Sequence, residues 1–124
     1  MTVKTQRFEE LIVWQKAHAL VLEIYKLSKD FPKEETYGIT SQVRRSSVSV
    51  AANISEGYRK KGKADKLRFL NIAEGSLDET KYYLILIRDL KFIKNEYDKL
   101  FELSEEVSKL LNAYSIAIRN SINK

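Results

Sequence analysis

The strongest candidate for binding chemistry in this chain of 124 residues is a run of basic side chains between positions 59 and 68. Its six cations stand against one acid, Asp65, and the resulting charge of +5 equals the formal net charge of the whole chain. All other residues therefore sum to zero, and the net charge forms one local patch. Such a patch favours the phosphate backbone of RNA or DNA as a partner. The candidate nucleic-acid-binding residues are Arg59, Lys60, Lys61, Lys63, Lys66 and Arg68.

Two neighbouring features strengthen this interpretation of the basic run. Tyr58 offers a ring on which a base could stack. A helix predicted to start after Gly62 would add backbone N–H groups that favour phosphate. The competing interpretation is a solvated connection between two helices, which lysines commonly decorate. The sequence leaves both interpretations open.

Catalytic chemistry has much weaker support. The chain has no cysteine, so thiolate nucleophiles, thiolate metal sites and disulfides are absent, and His18 is its only histidine. His18 has no apparent nucleophile beside it and no metal-ligating residue three or four positions away. We therefore expect a structural or surface role for His18, and we predict no catalytic residue, no metal site and no cofactor.

A line of polar residues runs along the second predicted helix. Asn53 and Glu56 are three residues apart and share a helix face, and Ser49 lies one turn before Asn53. One interpretation is a binding or catalytic pocket. The interpretation we favour is a structural polar network that fixes the register between helices, because buried polar groups are normally hydrogen-bonded. Its possible partners are Arg45, Ser76 and Glu79.

The segment 46–55 contains ten uncharged residues, mostly small or β-branched, in a chain that is otherwise rich in charge. A helix that is apolar or small all round must be covered on all sides. In so short a protein, another subunit is the natural cover. The segment predicts self-association, with Val48, Ala51 and Ala52 in or near the oligomer interface.

Hydrophobic periodicity predicts four helices, at approximately 8–28, 40–58, 64–90 and 96–122. Pro32 ends the first helix, Gly57 or the turn at Gly62 ends the second, and Asn95 is a good N-cap for the fourth. Gly75 lies inside the third helix at a cost of about 1 kcal/mol relative to alanine, which the close approach of another helix would offset. Long helices with short links predict an all-α protein, an antiparallel up-down-up-down four-helix bundle forming a single domain over residues 1–124.

Composition and hydropathy point to a soluble protein. Hydrophobic residues make up 44% of the chain and charged residues 31%, which is ordinary for a folded domain. No apolar run approaches the 18 or so residues of a membrane span, and the N-terminus lacks the pattern of a secretion signal. We expect a cytoplasmic protein with no membrane partner and no evident small-molecule substrate.

The chain contains several motifs in a distinctive order: Trp14-Gln15-Lys16-Ala17, Phe31-Pro32, residues 42–45, residues 49–57 with their Asn-Ile-x-Glu-Gly core, and residues 73–79. In this order they resemble the four-helix-bundle family encoded by intervening sequences within bacterial 23S rRNA genes. The resemblance covers about residues 8–90, and the fourth helix is similar only in character. It implies a ring-like homo-oligomer, a pentamer, and a relation to accessory proteins of diversity-generating retroelements, which share the bundle and bind nucleic acid.

The residues and the resemblance together predict a non-enzymatic homo-oligomer that binds RNA or DNA non-specifically through a basic loop. The alternative is a protein-binding scaffold with no nucleic-acid role, which presents its acidic fourth helix to a partner.

Overall fold

The structure, a computed structural model, describes residues 5–121 and contains four α-helices. A short 3-10 turn at Phe8–Glu10 precedes the first helix, and another at Lys33–Glu35 precedes the second. No β-strand occurs in the described part of the chain. The prediction of an all-α protein with four helices is confirmed. The helices are α1 (Ile12–Ser28), α2 (Ile39–Arg59), α3 (Lys63–Asp89) and α4 (Tyr97–Arg119).

The contacts between α2 and α3 show that these two helices are antiparallel. The Ser46 hydroxyl bonds that of Thr80, and the Ser49 hydroxyl bonds that of Ser76, each at 2.8 Å. A residue later in α2 therefore contacts a residue earlier in α3. Contacts between α3 and α4 follow the same rule, since Lys81 pairs with Glu105 while Lys63 contacts carbonyls at positions 119 and 121.

Each helix contacts two neighbours, so the four helices occupy the corners of a bundle in the order α1, α2, α3, α4. The core lies between them, because each helix buries one stripe of residues spaced three or four apart. Its apolar members are all aliphatic, and seven serine and threonine residues, including Ser46 and Thr80, are buried with them. No helix within residues 5–121 is both long and apolar enough to cross a membrane. The fully buried large side chains are Leu20, Val43, Val50, Ile54, Leu70, Leu77, Leu84, Ile87, Val107 and Leu111.

Two helix starts differ from the sequence-based prediction. The first helix begins at Ile12 rather than near residue 8, because the Glu10 carboxylate accepts the backbone N–H groups of Gln6 and Arg7 at 2.9 and 3.3 Å and closes a separate short turn. At α4 the N-cap is Glu96, and the predicted cap Asn95 precedes it. The Glu96 carboxylate accepts the Lys94 N–H at 3.0 Å and closes that turn itself.

The C-terminus of α3 is closed by a Schellman motif with lysine in the position that usually holds glycine. Lys91 has a φ of 63°, in the left-handed region. Its N–H donates to the Arg88 carbonyl at 2.9 Å, and the Phe92 N–H donates to the Ile87 carbonyl at 3.0 Å. A residue with a Cβ is strained in this conformation, whereas glycine is not.

We therefore expect Lys91→Gly to stabilise the protein by up to about 1 kcal/mol, because glycine removes the steric penalty at the left-handed position. Urea unfolding at a fixed protein concentration measures the change. The neighbouring residue Leu90 has a φ of −81°, so Leu90→Gly should have the opposite effect and destabilise the helix end. A lower midpoint for Lys91→Gly than for the parent would contradict the expectation.

Candidate nucleic-acid interface

The basic run occupies one end of the bundle. Arg59 is the last residue of α2, positions 60–62 form the link, and the remaining cations lie in the first two turns of α3. Gly62 is the N-cap of α3 in an extended conformation, and no side chain caps that helix. The C-terminus of α4 lies at the same end, because Lys63 reaches the carbonyl of Arg119 at 3.3 Å.

Two of the six predicted binding residues cap the C-termini of neighbouring helices. The Lys66 ammonium donates to the Tyr58 carbonyl at 2.7 Å and to the Gly57 carbonyl at 3.4 Å, at the end of α2. The Lys63 ammonium donates to the Arg119 and Ser121 carbonyls at the end of α4. A cation at a helix C-terminus satisfies carbonyls that have no partner within the helix and opposes the helix dipole.

The surroundings of Lys66 fit this capping role. Partial burial lowers the pKa of the Lys66 ammonium below its ordinary value. Its Nζ also lies 5.5 Å from the centre of the Tyr58 ring. Lys66 is therefore enclosed between α2 and α3 rather than extended into solvent.

Two of the other four cations, Lys60 and Arg68, flank the aromatic ring of Phe69, which no sequence motif singled out. Lys60 Nζ lies 5.0 Å from the centre of the Phe69 ring, and the Arg68 guanidinium lies 4.7 Å from it. Both distances are within the range of cation–π attraction. Arg68 also forms an ion pair with Asp65 at 3.6 Å, between two largely exposed side chains. Arg59 and Lys61 are exposed.

Gly57 explains how the link can be so short. An added Cβ at Gly57 would lie 3.2 Å from Phe69 Cβ and 3.4 Å from the Lys66 carbonyl oxygen. These distances are tighter than most real Cβ contacts, so a side chain here would push Phe69 or α3 away by a few tenths of an ångström, and glycine favours the close approach of α2 and α3 next to the link. This close approach also brings Phe69 beneath the link, where Lys60 and Arg68 flank its ring.

Tyr58, the predicted stacking ring, is half-buried. Its hydroxyl is hydrogen-bonded to the Thr5 hydroxyl at 2.9 Å, which ties the segment before α1 to the end of α2. The Tyr58 ring thus lies at the basic end of the bundle, as the stacking of a base requires. Its hydroxyl, however, already forms a hydrogen bond within the chain.

The predicted interface residues lie along a shallow groove between α1 and α2. Val48 and Ala52 are exposed, whereas Ala51 is buried. The α1 side of the groove includes Trp14 and His18, whose rings stack with centroids 4.9 Å apart. His18 therefore has a packing contact, in keeping with the structural or surface role expected for it.

The polar line on α2 connects to α3 through Ser49, whose hydroxyl bonds that of Ser76. The Asn53 side-chain amide donates to the Ser49 carbonyl at 2.8 Å and to the Ser49 hydroxyl at 3.1 Å. Glu56 is exposed and has no hydrogen bond or ion pair with another residue in the range 5–121. The structure brings Ser49 and Asn53 together with Ser76 and leaves Glu56 outside this network.

We expect Asn53→Ala to lower the free energy of unfolding by about 1 kcal/mol, because it removes two hydrogen bonds beside the α2–α3 contact. Glu56→Ala, on the same helix, is the control and should change the free energy of unfolding by less than about 0.5 kcal/mol. Chemical denaturation of both variants measures the difference. An unchanged unfolding midpoint for Asn53→Ala would assign this residue to ligand contact rather than to stability.

Metal-binding geometry is missing from the described part of the chain, where no three His, Asp or Glu side chains come together in a way that could hold a metal ion. Two acids of α4 pair with neighbouring helices instead. Glu105 Oε1 lies 3.2 Å from Lys81 Nζ of α3, and Glu106 Oε2 lies 3.5 Å from Lys16 Nζ of α1. These ion pairs join α4 to both of its neighbours.

The fold and this site define a small helical bundle with one strongly basic end. The family model of the 23S rRNA-intervening sequence protein matches residues 9–113, so the chain belongs to that family, as its motifs predict. The chain is also similar to a crystal structure from Bacteroides thetaiotaomicron VPI-5482, of a protein with unknown function from the S23 ribosomal protein family. The two are 31% identical with a TM-score of 0.77, over 84% of this chain and 98% of that one. No protein of curated function matches the sequence.

Proposed function

We propose that this protein is a non-enzymatic, cytoplasmic homo-oligomer that binds the backbone of RNA or DNA through its basic end, without sequence preference. The observation that carries the proposal is the concentration of the chain's net charge in positions 59–68, at one end of the bundle. Phosphate contacts supply most of the affinity in non-specific binding of nucleic acids.

In this proposal the six cations have two different roles. Lys63 and Lys66 hold the link against the ends of α4 and α2. The other four remain for phosphate: Arg59, Lys60, Lys61 and Arg68. Because Lys60 of the link and Arg68 of the second turn of α3 both lie against the Phe69 ring, a strand that passes over this ring would meet both cations.

The absence of sequence preference follows from the residue types. Base edges are read mainly by asparagine, glutamine and bidentate arginine. Positions 54–70 contain neither asparagine nor glutamine, and of their two arginines Arg68 already contacts Asp65 and the Phe69 ring, which leaves Arg59 without a second base-reading side chain beside it. Lysine acts as a point charge that does not distinguish bases. We therefore expect matched and scrambled oligonucleotides to bind alike.

Self-association would multiply a weak site. Four cations offer one strand only modest affinity, but an oligomer repeats them around its axis, and linked weak sites gain avidity without new contacts. The groove beside Val48 and Ala52 is the face that we assign to the neighbouring subunit. Family resemblance favours a ring of five subunits.

The second candidate function, a scaffold that presents the acidic α4 to a protein partner, has less support. Glu105 and Glu106 already pair with Lys81 and Lys16 of the same chain. A partner would have to compete with these contacts or use the remaining acids of α4.

A salt titration tests the proposal. If four phosphates are neutralised at each site, the logarithm of the binding constant for a fluorescent single-stranded oligonucleotide should fall with log salt at a slope of roughly −3. Fluorescence anisotropy measures the slope, and the absorbance ratio of protein purified without nuclease gives an independent reading. Absence of binding at about 50 mM salt would favour the scaffold.

A further inference from the structure

A further groove lies at the basic end of the bundle, next to the cations that we assign to phosphate. Its volume of about 470 Å³ falls within the range of pockets that bind small ligands, roughly 300–1,000 Å³. One wall is the segment before α1 with its 3-10 turn, and the other wall is the last turn of α2. We call it the N-terminal groove, and the residues that set its chemistry are Arg7, Phe8, Glu9, Glu56, Tyr58 and Arg59.

The two walls of the N-terminal groove are fixed by contacts within the chain. The Thr5 and Tyr58 hydroxyls are hydrogen-bonded at 2.9 Å, which joins one wall to the other. The Phe8 ring meets the Trp14 ring edge to face, with centroids 5.2 Å apart, and so holds the 3-10 turn against α1. The groove therefore exists before a ligand arrives, as is usual for binding pockets.

The charges of the N-terminal groove argue against a phosphate as its occupant. Its two arginines are balanced by its two glutamates. Arg7 lies 2.7 Å from Glu9, and their hydrogen bond holds the pKa of the Glu9 carboxyl below its ordinary value. Glu56 has no ion pair with another residue in the range 5–121. A phosphate placed in the groove would be repelled by these carboxylates, so the groove fits a neutral group better.

The aromatic side chains of the N-terminal groove indicate what that neutral group is. Phe8 and Tyr58 both line the groove and are both half-buried. Unpaired bases stack on such rings and form hydrogen bonds at their edges, where the groove offers carboxylate and guanidinium groups. Every base has a face that can stack, so this contact does not depend on sequence.

The N-terminal groove is continuous with the basic run. Arg59 lines the groove and is also the first of the six cations, and Lys60 and Lys61 follow it directly in the link. A strand whose phosphates contact the link therefore passes beside the groove. In a duplex the bases are paired and stacked inside, and moving one into a pocket costs unstacking energy. In a single strand this cost is smaller.

We propose that the N-terminal groove holds one unpaired base of the strand whose phosphates lie on the basic run, so that the site binds single strands in preference to duplex. This inference rests on the nucleic-acid binding proposed above and specifies the form of the ligand. The preference opposes the electrostatic trend, because B-DNA releases more counterion for each neutralised phosphate than a single strand does. A site that contacted the backbone alone would favour the duplex.

Three labelled DNA ligands test the inference on the parent protein. They are a single strand of mixed sequence, its duplex, and a strand of the same length in which abasic sites replace the bases. Fluorescence anisotropy at about 50 mM salt measures the three affinities. We expect the single strand to bind more tightly than the duplex, and the abasic strand to bind about fivefold or more weakly than the single strand, because it keeps the phosphates and loses the stacking.

Phe8→Leu tests the assignment to the N-terminal groove, since it removes the ring and keeps an apolar side chain. We expect the affinity for the base-bearing strand to fall about fivefold, and that for the abasic strand to stay the same. Tyr37→Leu is the matched control, because Tyr37 is a 94% exposed aromatic residue in the connection between α1 and α2, at the other end of the bundle. It should leave both affinities unchanged. Circular dichroism checks that the helices persist.

The outcomes separate this inference from the proposed function. Equal binding of the base-bearing and abasic strands, or tighter binding of the duplex, would overturn the inference, leave the backbone site standing and leave the groove to another occupant such as a peptide. A Phe8→Leu variant with the parent's affinity for the base-bearing strand would overturn the assigned groove. Absence of binding to all three ligands would overturn the inference and the proposed function together.

Discussion

Replacing Arg59, Lys60, Lys61 and Arg68 with glutamine should weaken binding of a single-stranded oligonucleotide roughly a hundredfold or more at about 50 mM salt. These are the four cations of the basic run that do not cap a helix. Removing them removes the counterion release that drives the contact, so the slope against log salt should also approach zero. Fluorescence anisotropy over a salt series measures both quantities.

The matched control changes the charge by the same amount at the other end of the bundle. Lys29, Lys33, Lys94 and Lys99 are exposed near the α1–α2 and α3–α4 connections, and their replacement with glutamine should leave most of the binding intact. Equal loss in both quadruple variants would show that net charge alone, and not the basic end, attracts the ligand. Unchanged binding in the first variant would refute the proposed site.

A second control separates the capping lysines from the binding ones. Lys63→Gln combined with Lys66→Gln should lower the thermal stability, because carbonyls at the ends of α2 and α4 lose their donors. The same double variant should keep most of the salt slope. Loss of the slope without loss of stability would place these two lysines in the binding site.

Ala52→Glu should convert the proposed oligomer to monomers. Ala52 lies in the groove between α1 and α2 that we assign to the neighbouring subunit, and a carboxylate buried there would have no partner, which is strongly unfavourable. In the isolated bundle the same residue is exposed, so the fold itself should tolerate the change. Light scattering gives the mass, and circular dichroism shows whether the helices persist.

Ala113→Glu is the matched control, since Ala113 is an exposed alanine in the middle of α4. It introduces the same side chain on a face to which we assign no contact, and the mass should stay that of the parent. An Ala52→Glu variant with the parent's mass would show that the interface lies outside the groove between α1 and α2.

The helices could be predicted closely where hydrophobic periodicity is strong and the ends are simple. α2 and α3 were predicted at 40–58 and 64–90, and each observed end lies one residue away. The start of α1 was less predictable, at about residue 8 against the observed Ile12, because the Glu10 carboxylate closes a separate turn. The start of α4 lies one residue after the predicted one, and there the Glu96 carboxylate closes the turn in the same way. A glutamate can make such a contact in many sequence settings, so its residue type and position do not predict the turn.

The basic patch could be located from sequence, but the division among its lysines could not. Lys63 contacts carbonyls more than fifty residues away, and only the packed bundle brings them together. Phe69 was also missed, although an aromatic residue directly after Arg68 was a usable signal. The α1 side of the groove includes Trp14 and His18, and it could be identified only once the packing of α1 against α2 was known.

The capping lysines have a consequence for how tightly so small a site can bind. A flexible basic loop loses conformational entropy when a ligand fixes it, and this loss subtracts from the affinity. Here Lys66 binds carbonyls at the end of α2, and Lys63 binds carbonyls at the end of α4. These contacts hold the link in one conformation and fix the position of the remaining cations. The entropy cost of ordering the link is thus met when the bundle folds, and a phosphate chain that binds there as proposed would meet a preorganised surface.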